Sequence, residues 1–297
     1  MSNAIKLSPI IKSYIWGGQY FQSFGKGNQD VISELWELSI RDDDSVYIFN
    51  TNKRLIDVLT KEDFGPNCER FPYFPVLIKL IDAKENLSIQ VHPSDDYALK
   101  NEGSFGKSEM WYILDADEGS GLYVGFKEDY SKEEIANRLN NGTITEVLNF
   151  FEVKKGDSFI INPGTVHAIG KGVRIIEIQQ NSNLTYRLFD YFRKDKDGNF
   201  RELHIEKALK VIDFCKYNPE KCQENYIANN EYFKVKKIDF DGEIIINAYE
   251  GSFVSFTCIE GEGKVDEQDL TTFDTFFLPY NKSCKIKGKG TLIVTSV

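Results

Sequence analysis

The chain of 297 residues has no apolar run near the ~20 residues that a bilayer-spanning helix requires, which excludes a membrane protein of that type. It also lacks a basic excess, since 36 lysines and arginines stand against 46 aspartates and glutamates, for a net charge of −10. A general affinity for nucleic acid or anionic lipid is therefore excluded, and an anionic ligand requires a local cluster of cations. Because the N-terminal residues lack the apolar segment of a secretory signal, we expect a cytoplasmic protein.

Cysteine and histidine are also scarce. The five cysteines are far apart and form no CxxC pair, which argues against a disulfide framework and against a thiolate zinc site. The three histidines, His92, His167 and His204, all precede residue 225. Histidine is the side chain best suited to proton transfer and metal binding near neutral pH, so we expect such chemistry before residue 225.

The residues that are present predict a mainly β protein. Apolar, β-branched or aromatic stretches of strand length alternate with clusters of Gly, Pro, Asn and Asp, as in a barrel or sandwich. The predicted strands are residues 75–80, 87–91, 110–114, 158–161, 173–178, 232–240, 243–248, 253–259, 275–278 and 291–294. Helical insertions are predicted near residues 53–59, 131–150 and 204–214, the second as two helices that begin at capping boxes.

A change in character after residue 216 predicts two domains. Residues 1–224 contain every histidine and the three helical insertions, so we expect the metal-binding and catalytic domain there. Residues 225–297 are a run of predicted strands that look like hairpins, and we expect a structural, metal-free β domain.

Four side chains in the first domain are candidate metal ligands. Gln90 and His92 lie two residues apart on a predicted strand, so their side chains point to the same face. Glu109 begins an apolar strand, and His167 follows a Pro-Gly turn at the end of another. Taken singly, each is explained as well by ordinary packing, but together one amide oxygen, two imidazoles and one carboxylate suit zinc or a similar ion.

Several motifs together resemble the type I mannose-6-phosphate isomerases, in particular their short bacterial form, which belongs to the cupin superfamily. The resemblance covers essentially the whole chain. It rests on WGG at 16–18, ELWELS at 34–39, LSIQVHP at 87–93, GKSEMWYIL at 106–114, GTVHAIG at 164–170, EIQQ at 177–180, TYR at 185–187 and RELHIEKAL at 201–209. It implies a cupin-type, jelly-roll double β fold and a zinc enzyme that interconverts mannose 6-phosphate and fructose 6-phosphate.

The resemblance also implies roles for individual residues. One Zn²⁺ per chain is expected on Gln90, His92, Glu109 and His167. Catalytic roles fall to Arg187, Glu177 and Lys107, and contacts to the substrate fall to Lys79, Ser88, Lys107 and Arg187. These residue types suit the reaction, because moving a carbonyl between C1 and C2 needs a base for the proton and cations for the enediolate. The only partner expected is a small sugar phosphate, and the chain is expected to be a monomer or a weak homodimer.

The sequence departs from the family pattern at two positions. Asn162 stands where the family usually has proline before the Gly-Thr-x-His turn. Asn183 stands where the family usually has an aspartate, and an amide cannot take up a proton. Either Glu177 or a metal-bound water is then the base, or the chain is a non-catalytic or repurposed cupin that binds sugar phosphate. An iron dioxygenase fits less well, because a Gln/Glu/His/His set is not the 2-His-1-carboxylate triad with open positions.

Simpler interpretations of the polar residues also stay open. Arg187 and Asp190 are compatible with a surface ion pair, and Lys107 with a solvated loop side chain. Glu177 is compatible with a structural partner of Arg174 or Arg187. Trp16 and Trp36 are expected to pack rather than take part in chemistry.

Overall fold

The computed structural model describes residues 3–195, 197–219 and 226–297. Strands account for 42% of the chain and helices for 14%, which confirms the prediction of a mainly β protein. None of the described helices combines the length and the apolar character that crossing a bilayer requires. The predicted domain boundary, between residues 224 and 225, lies outside the described residues, so the two-domain division stays a prediction.

The described residues form nineteen strands, four α-helices and four short 3-10 helices. The first thirteen strands are β1 (Ile5–Ser8), β2 (Ile10–Lys12), β3 (Glu34–Leu38), β4 (Tyr47–Ile48), β5 (Val76–Ala83), β6 (Ile89–Val91), β7 (Glu109–Ala116), β8 (Gly121–Phe126), β9 (Leu148–Glu152), β10 (Ser158–Ile161), β11 (His167–Ile169), β12 (Val173–Gln180) and β13 (Tyr186–Phe189). The last six are β14 (Ala228–Asn229), β15 (Lys234–Asn247), β16 (Val254–Val265), β17 (Gln268–Thr271), β18 (Thr275–Leu278) and β19 (Ser283–Ser296). The α-helices are α1 (Lys61–Phe64), α2 (Asp95–Glu102), α3 (Lys132–Asn140) and α4 (Ile205–Ala208). The 3-10 helices are Tyr20–Phe24, Leu55–Asp57, Pro66–Cys68 and Ile144–Glu146.

Two antiparallel sheets face each other in the first part of the chain. The six-stranded sheet has the order β10-β7-β12-β5-β3-β2, and the five-stranded sheet has the order β13-β6-β11-β8-β9. Trp111 and Ile175 of the first sheet pack in one core cluster with Val124 and Ile169 of the second. The six-stranded sheet is buried on both faces, because Met110 and Ile176, which point the other way, join a second cluster. This explains why its strands read as nearly continuous apolar runs.

The third sheet joins the two ends of the chain. Its order is β14-β15-β19-β16-β18-β1-β4, with β17 paired to β16. The N-terminal strand β1 pairs antiparallel with β18, where Ile5 lies opposite Phe277. Lys6 Nζ lies 2.7 Å from Asp274 Oδ2, so a mostly buried ion pair reinforces this junction.

Predicted and observed strands agree closely in some places and differ in others. The strands predicted at 158–161 and 275–278 have the observed bounds, Ser158–Ile161 and Thr275–Leu278. The hairpin expected from 232–240 and 243–248 is wrong, since both stretches belong to the single long strand β15. Gly242 does not form a turn there, because it continues the pairing of β15 with β19 opposite Gly288.

The helical predictions need several corrections. Ser131 caps α3 by accepting a hydrogen bond from the Glu134 N–H at 3.1 Å, as its capping box predicts. The second helix expected before residue 150 is wrong, because only the 3-10 helix Ile144–Glu146 forms and β9 begins at Leu148. Residues 53–59 contain only the 3-10 helix Leu55–Asp57, and residues 204–214 contain the single-turn α4. Helix α2 was not predicted, although Gly103 ends it in a left-handed conformation.

Glu37 on β3 is a buried carboxyl group that faces the third sheet. Its side chain is 1% exposed, and Oε1 has no hydrogen-bond partner in the part of the chain that the structure describes. Burial raises the pKa of Glu37 to about 7, although Lys26 and a hydrogen bond with Thr275 act to lower it. Folding therefore favours the protonated form of this side chain.

Replacing Glu37 by glutamine is expected to stabilise the protein at high pH. Below pH 4.5 the carboxyl is protonated in both states, whereas between pH 4.5 and about 7 only the unfolded state releases the proton. At about 1.4 kcal/mol per pH unit, wild-type stability falls relative to Glu37→Gln by up to about 3 kcal/mol above pH 7. Urea unfolding of both proteins at pH 4.5 and pH 8 measures this difference. Glu267→Gln, at an exposed turn, is the control. The expectation is contradicted if the urea midpoints of Glu37→Gln and wild type differ by the same amount at pH 4.5 and at pH 8.

Candidate active site

Glu109 of the six-stranded sheet meets two histidines of the five-stranded sheet. His92 directly follows β6 and His167 begins β11, two strands that pair with each other. Glu109 Oε2 lies 3.5 Å from His92 Nε2, and Glu109 Oε1 lies 3.3 Å from His167 Nε2. All three side chains are at most 1% exposed, and their candidate ligand atoms lie within 4.8 Å of one another. The structure thus brings three of the four predicted metal ligands together.

The hydrogen bonds of the two imidazoles determine which nitrogen carries the proton. His92 Nδ1 lies 3.0 Å from Leu184 O, and His167 Nδ1 lies 2.9 Å from Thr165 O. A carbonyl oxygen only accepts hydrogen bonds, so each Nδ1 carries the proton and each Nε2 presents a lone pair. Both Nε2 atoms and both Glu109 oxygens lack hydrogen-bond partners among the described residues. Lone pairs that face a carboxylate repel it unless a cation lies between them, so the cluster fits a divalent metal ion.

The charge states suit the same ion. Burial lowers the pKa of His92 to about 3, with help from Lys107, and burial also lowers the pKa of His167. Burial acts to raise the pKa of Glu109, but the charge of Lys107, whose Nζ lies 3.1 Å away, helps to hold that pKa well below its ordinary value. Two neutral imidazoles and one ionised carboxylate are the forms in which these side chains bind metals.

Gln90, the fourth predicted ligand, lies at the edge of this cluster. It sits directly opposite His167 in the pairing of β6 with β11. Ser88, Gln90 and His92 alternate along the chain, so their side chains share one face. Across the other neighbouring strand, Gln90 lies opposite Arg187 of β13. Residues 88–92 therefore present Gln90 and His92 on the same face as Ser88, with Arg187 on the neighbouring strand.

A cavity of about 430 Å³ opens between the two sheets. It is lined by five cationic and three carboxylate side chains, which reverses the negative balance of the whole chain. All the predicted substrate-contacting and catalytic residues line it, together with Gln90 and Asn183. The five cations are Lys12, Lys79, Lys107, Arg187 and Arg201, and the three carboxylates are Glu34, Asp44 and Glu177.

Glu177 is held rigidly in the wall of the cavity. Lys79 Nζ donates to its Oε1 at 3.1 Å, and Trp111 Nε1 donates to its Oε2 at 3.1 Å. These three residues face one another across β5, β12 and β7, because Glu177 lies opposite both Lys79 and Trp111. The charged partner of Glu177 is therefore Lys79. The interpretation of Glu177 as a structural partner of Arg174 or Arg187 is wrong.

The simpler interpretations of Lys107 and Arg187 are wrong. Lys107 is 5% exposed, so it is not a solvated loop side chain. Arg187 donates to Ser88 Oγ at 3.3 Å and to Glu202 O at 2.9 Å, and Asp190 binds Arg193 and Arg201 instead. Burial, followed by the charge of Arg201, lowers the pKa of Arg187.

The two departures from the family pattern have different consequences. Asn162 O accepts the Thr165 N–H at 3.1 Å, so this turn closes in front of His167. Asn183 lines the cavity itself, two residues before Thr185 and four before Arg187, which also line it. An amide thus occupies a position from which a carboxylate would reach the cavity.

Several cavity residues were not predicted from the sequence. Trp16 and Trp36, expected only to pack, are buried and also line the cavity. The signals for three others were present, since Glu34, Thr185 and Arg201 lie in motifs that carry the resemblance. The residues missed were Lys12, Tyr14, Glu34, Asp44, Thr185 and Arg201.

Two family models match separate parts of the chain. A family model described as "Phosphomannose isomerase type I, catalytic domain" matches residues 4–119, and one described as "Mannose-6-phosphate isomerase, cupin domain" matches residues 223–297. The second match confirms the predicted cupin-type fold.

Individual relatives match along the whole chain. YvyI of Bacillus subtilis (strain 168), whose designation as a mannose-6-phosphate isomerase is provisional, is 36% identical and covers 99% of this chain and 98% of its own. Mannose-6-phosphate isomerase ManA of the same organism is 32% identical, with 97% and 96% covered. A crystal structure of the mannose 6-phosphate isomerase from Bacillus subtilis is 34% identical, covers 100% of both chains and gives a TM-score of 0.89. The chain belongs to the type I mannose-6-phosphate isomerases, a family of isomerase enzymes.

Proposed function

We propose that the protein is a zinc-dependent aldose–ketose isomerase that interconverts mannose 6-phosphate and fructose 6-phosphate. The observation that carries this proposal is the buried cluster of His92, Glu109 and His167 beside a cavity with a cationic lining. The cluster supplies nitrogen and oxygen ligands, and the lining supplies the positive charge that a sugar phosphate requires. The names of the relatives favour the same substrate pair.

Zinc is the metal that this set of ligands suits best. The two neutral Nε2 atoms and the Glu109 carboxylate would hold the ion, and the Gln90 side chain would complete the set from the adjoining strand. When bound, zinc supplies a Lewis acid that stabilises negative charge on substrate oxygens. The backbone carbonyls of Leu184 and Thr165 keep both rings in the tautomer that leaves Nε2 free.

Glu177 is the proposed acid–base group. It would accept the proton from one substrate carbon and return it to the neighbouring carbon, while Lys79 and Trp111 fix its orientation. Arg187 would stabilise the enediolate charge that forms in between, because it lies opposite Gln90 in the pairing of β13 with β6 and has no carboxylate partner among the described residues. Lys79, Ser88 and Lys107 would contact the sugar and its phosphate from the same cavity.

A second function is favoured by one observation. Asn183 lines the cavity at a position where the family usually has an aspartate. A protein that keeps the metal and the cavity but not this carboxylate fits a non-catalytic or repurposed role in binding sugar phosphates. The substitution Asn183→Asp separates this alternative from the isomerase.

Loss of His92 is expected to remove the metal. His92→Ala should retain less than about a tenth of the wild-type metal content, and kcat/KM should fall more than about 100-fold, since even outer partners of metal ligands cost 10–100-fold. Elemental analysis of purified protein and a fructose 6-phosphate assay measure the two effects. His204→Ala, outside the cluster, is the control and should keep its metal. Full metal content together with full turnover in His92→Ala contradicts the metal site.

Loss of the Glu177 carboxylate is expected to slow the chemistry without releasing the metal. Glu177→Gln keeps the volume of the side chain, and kcat should fall about 10²- to 10⁴-fold, as for other acid–base residues. Steady-state kinetics, elemental analysis and circular dichroism measure the outcome. Glu118→Gln, on an exposed turn, is the matched control. A kcat within about threefold of wild type means that Glu177 is not the base.

Restoring a carboxylate at residue 183 tests the second function. If Glu177 is the base, Asn183→Asp should change kcat by no more than about threefold, because proton transfer already has its group. A gain of about 100-fold from a wild type that barely turns over supports the binding protein instead. Turnover and equilibrium binding of mannose 6-phosphate are measured on both proteins, with Asn52→Asp, at an exposed residue outside the cavity, as the control.

A further inference from the structure

The five cations of the cavity differ in how their charge is compensated. Lys12 Nζ lies 2.7 Å from Asp44, Lys79 Nζ lies 3.1 Å from Glu177, and Lys107 Nζ lies 3.1 Å from Glu109. Each lysine thus has a carboxylate partner in or beside the cavity. The two arginines that line the cavity are compensated less completely.

One carboxylate serves a group of three arginines. Asp190 is 5% exposed and binds both Arg193 and Arg201, whereas Arg187 has no carboxylate partner in the described part of the chain. Three guanidinium groups share one carboxylate, and two of them, Arg187 and Arg201, line the cavity, so this end of the cavity has a surplus of positive charge. A phosphate monoester carries nearly two negative charges at neutral pH, so its charge matches this surplus.

Arg201 is oriented toward this use. Its Nε donates to Asp190 Oδ2 at 2.7 Å, and its Nη2 donates to Asp190 Oδ1 at 2.5 Å. This two-point contact fixes the plane of the guanidinium and leaves Nη1 without a partner among the described residues. The side chain is 22% exposed and lines the cavity, so Nη1 is available to a ligand.

The backbone explains why Arg201 reaches this position. Tyr191 and Phe192 both have a φ of 55°, which is uncommon for residues other than glycine and bends the chain directly after Asp190. Lys194 and Phe200 then form an antiparallel bridge, so their neighbours Arg193 and Arg201 return to the same carboxylate. Arg187 donates to the carbonyl oxygen of Glu202, the residue after Arg201, which places the two arginines side by side.

The order of side chains along the cavity follows the shape of the proposed substrate. Gln90, beside the metal cluster, lies opposite Arg187, and Arg201 lies beyond Arg187. We propose that Arg201, held by Asp190, binds the phosphate group of the substrate beside Arg187, while the reacting carbons lie toward Gln90. This inference rests on the proposed function and adds a substrate-binding residue to it.

Replacing Arg201 is expected to weaken substrate binding without slowing the chemistry. Arg201→Gln should raise KM for mannose 6-phosphate at least about tenfold, the effect of a lost charge-assisted hydrogen bond, while kcat stays within about threefold. Calorimetric titration of the metal-loaded protein with inorganic phosphate should show a loss of affinity of at least about fivefold. Arg201→Lys keeps the charge but lacks the planar guanidinium, so its KM and its phosphate affinity should lie between those of the wild type and Arg201→Gln. Lys210→Gln, an exposed residue outside the cavity, removes the same charge and should change neither value.

The outcomes separate this inference from the proposed function. The inference alone is overturned if the wild type turns over mannose 6-phosphate and Arg201→Gln has the same KM and the same phosphate affinity as the wild type. Wild-type protein that binds phosphate through Arg201 but forms no fructose 6-phosphate supports the inference and overturns the isomerase. A fall in kcat with an unchanged KM also overturns the inference, because it assigns Arg201 to the chemistry or to the fold.

Discussion

The approach of the Glu109 carboxylate to the lone pairs of His92 and His167 is the constraint on which the site depends. Both Nε2 atoms lack a hydrogen-bond partner among the described residues, and their lone pairs face a carboxylate that also contacts the Lys107 ammonium. A metal ion between the three side chains would relieve the repulsion between the lone pairs and the carboxylate. The carboxylate comes from one sheet and the imidazoles from the other. The three side chains therefore meet only if the strands of both sheets keep their observed registers. A shift of β7 by one residue would turn Glu109 to the opposite face of its sheet.

The charge of the protein is organised on two scales. The chain as a whole is acidic, with a net charge of −10, whereas the cavity lining carries more cations than carboxylates. Two of these cations, Lys79 and Lys107, are in buried ion pairs with Glu177 and Glu109. Buried ion pairs cost desolvation energy and fix geometry more than they stabilise the fold. Lys79 illustrates this, because its contact with Glu177 fixes the orientation of that carboxylate. The cavity cations with the least complete compensation are Arg187 and Arg201, so these two arginines would contribute most to the attraction of an anion.

The sequence predicted the parts of the molecule that depend on local pattern. Alternation on one strand placed Gln90 and His92 on the same face, and the apolar strands that support them were located closely. The same reasoning failed where distant pairing overrides local signals. Residues 232–240 and 243–248 were predicted as two strands of a hairpin, because nothing nearby shows that Gly242 between them pairs with Gly288. Arg201 was missed as a cavity residue, because its position depends on a bend at Tyr191 and on a contact with Asp190.

The pairing of β1 with β18 joins residues more than 260 positions apart, since Lys6 lies opposite Phe276. On the ribosome, β1 emerges more than 260 residues before its partner β18. β1 therefore waits with an unsatisfied edge until β18 has been synthesised, and contacts of such long range slow folding. The same pairing means that a cut of the chain between β13 and β14 would leave the third sheet open at β18.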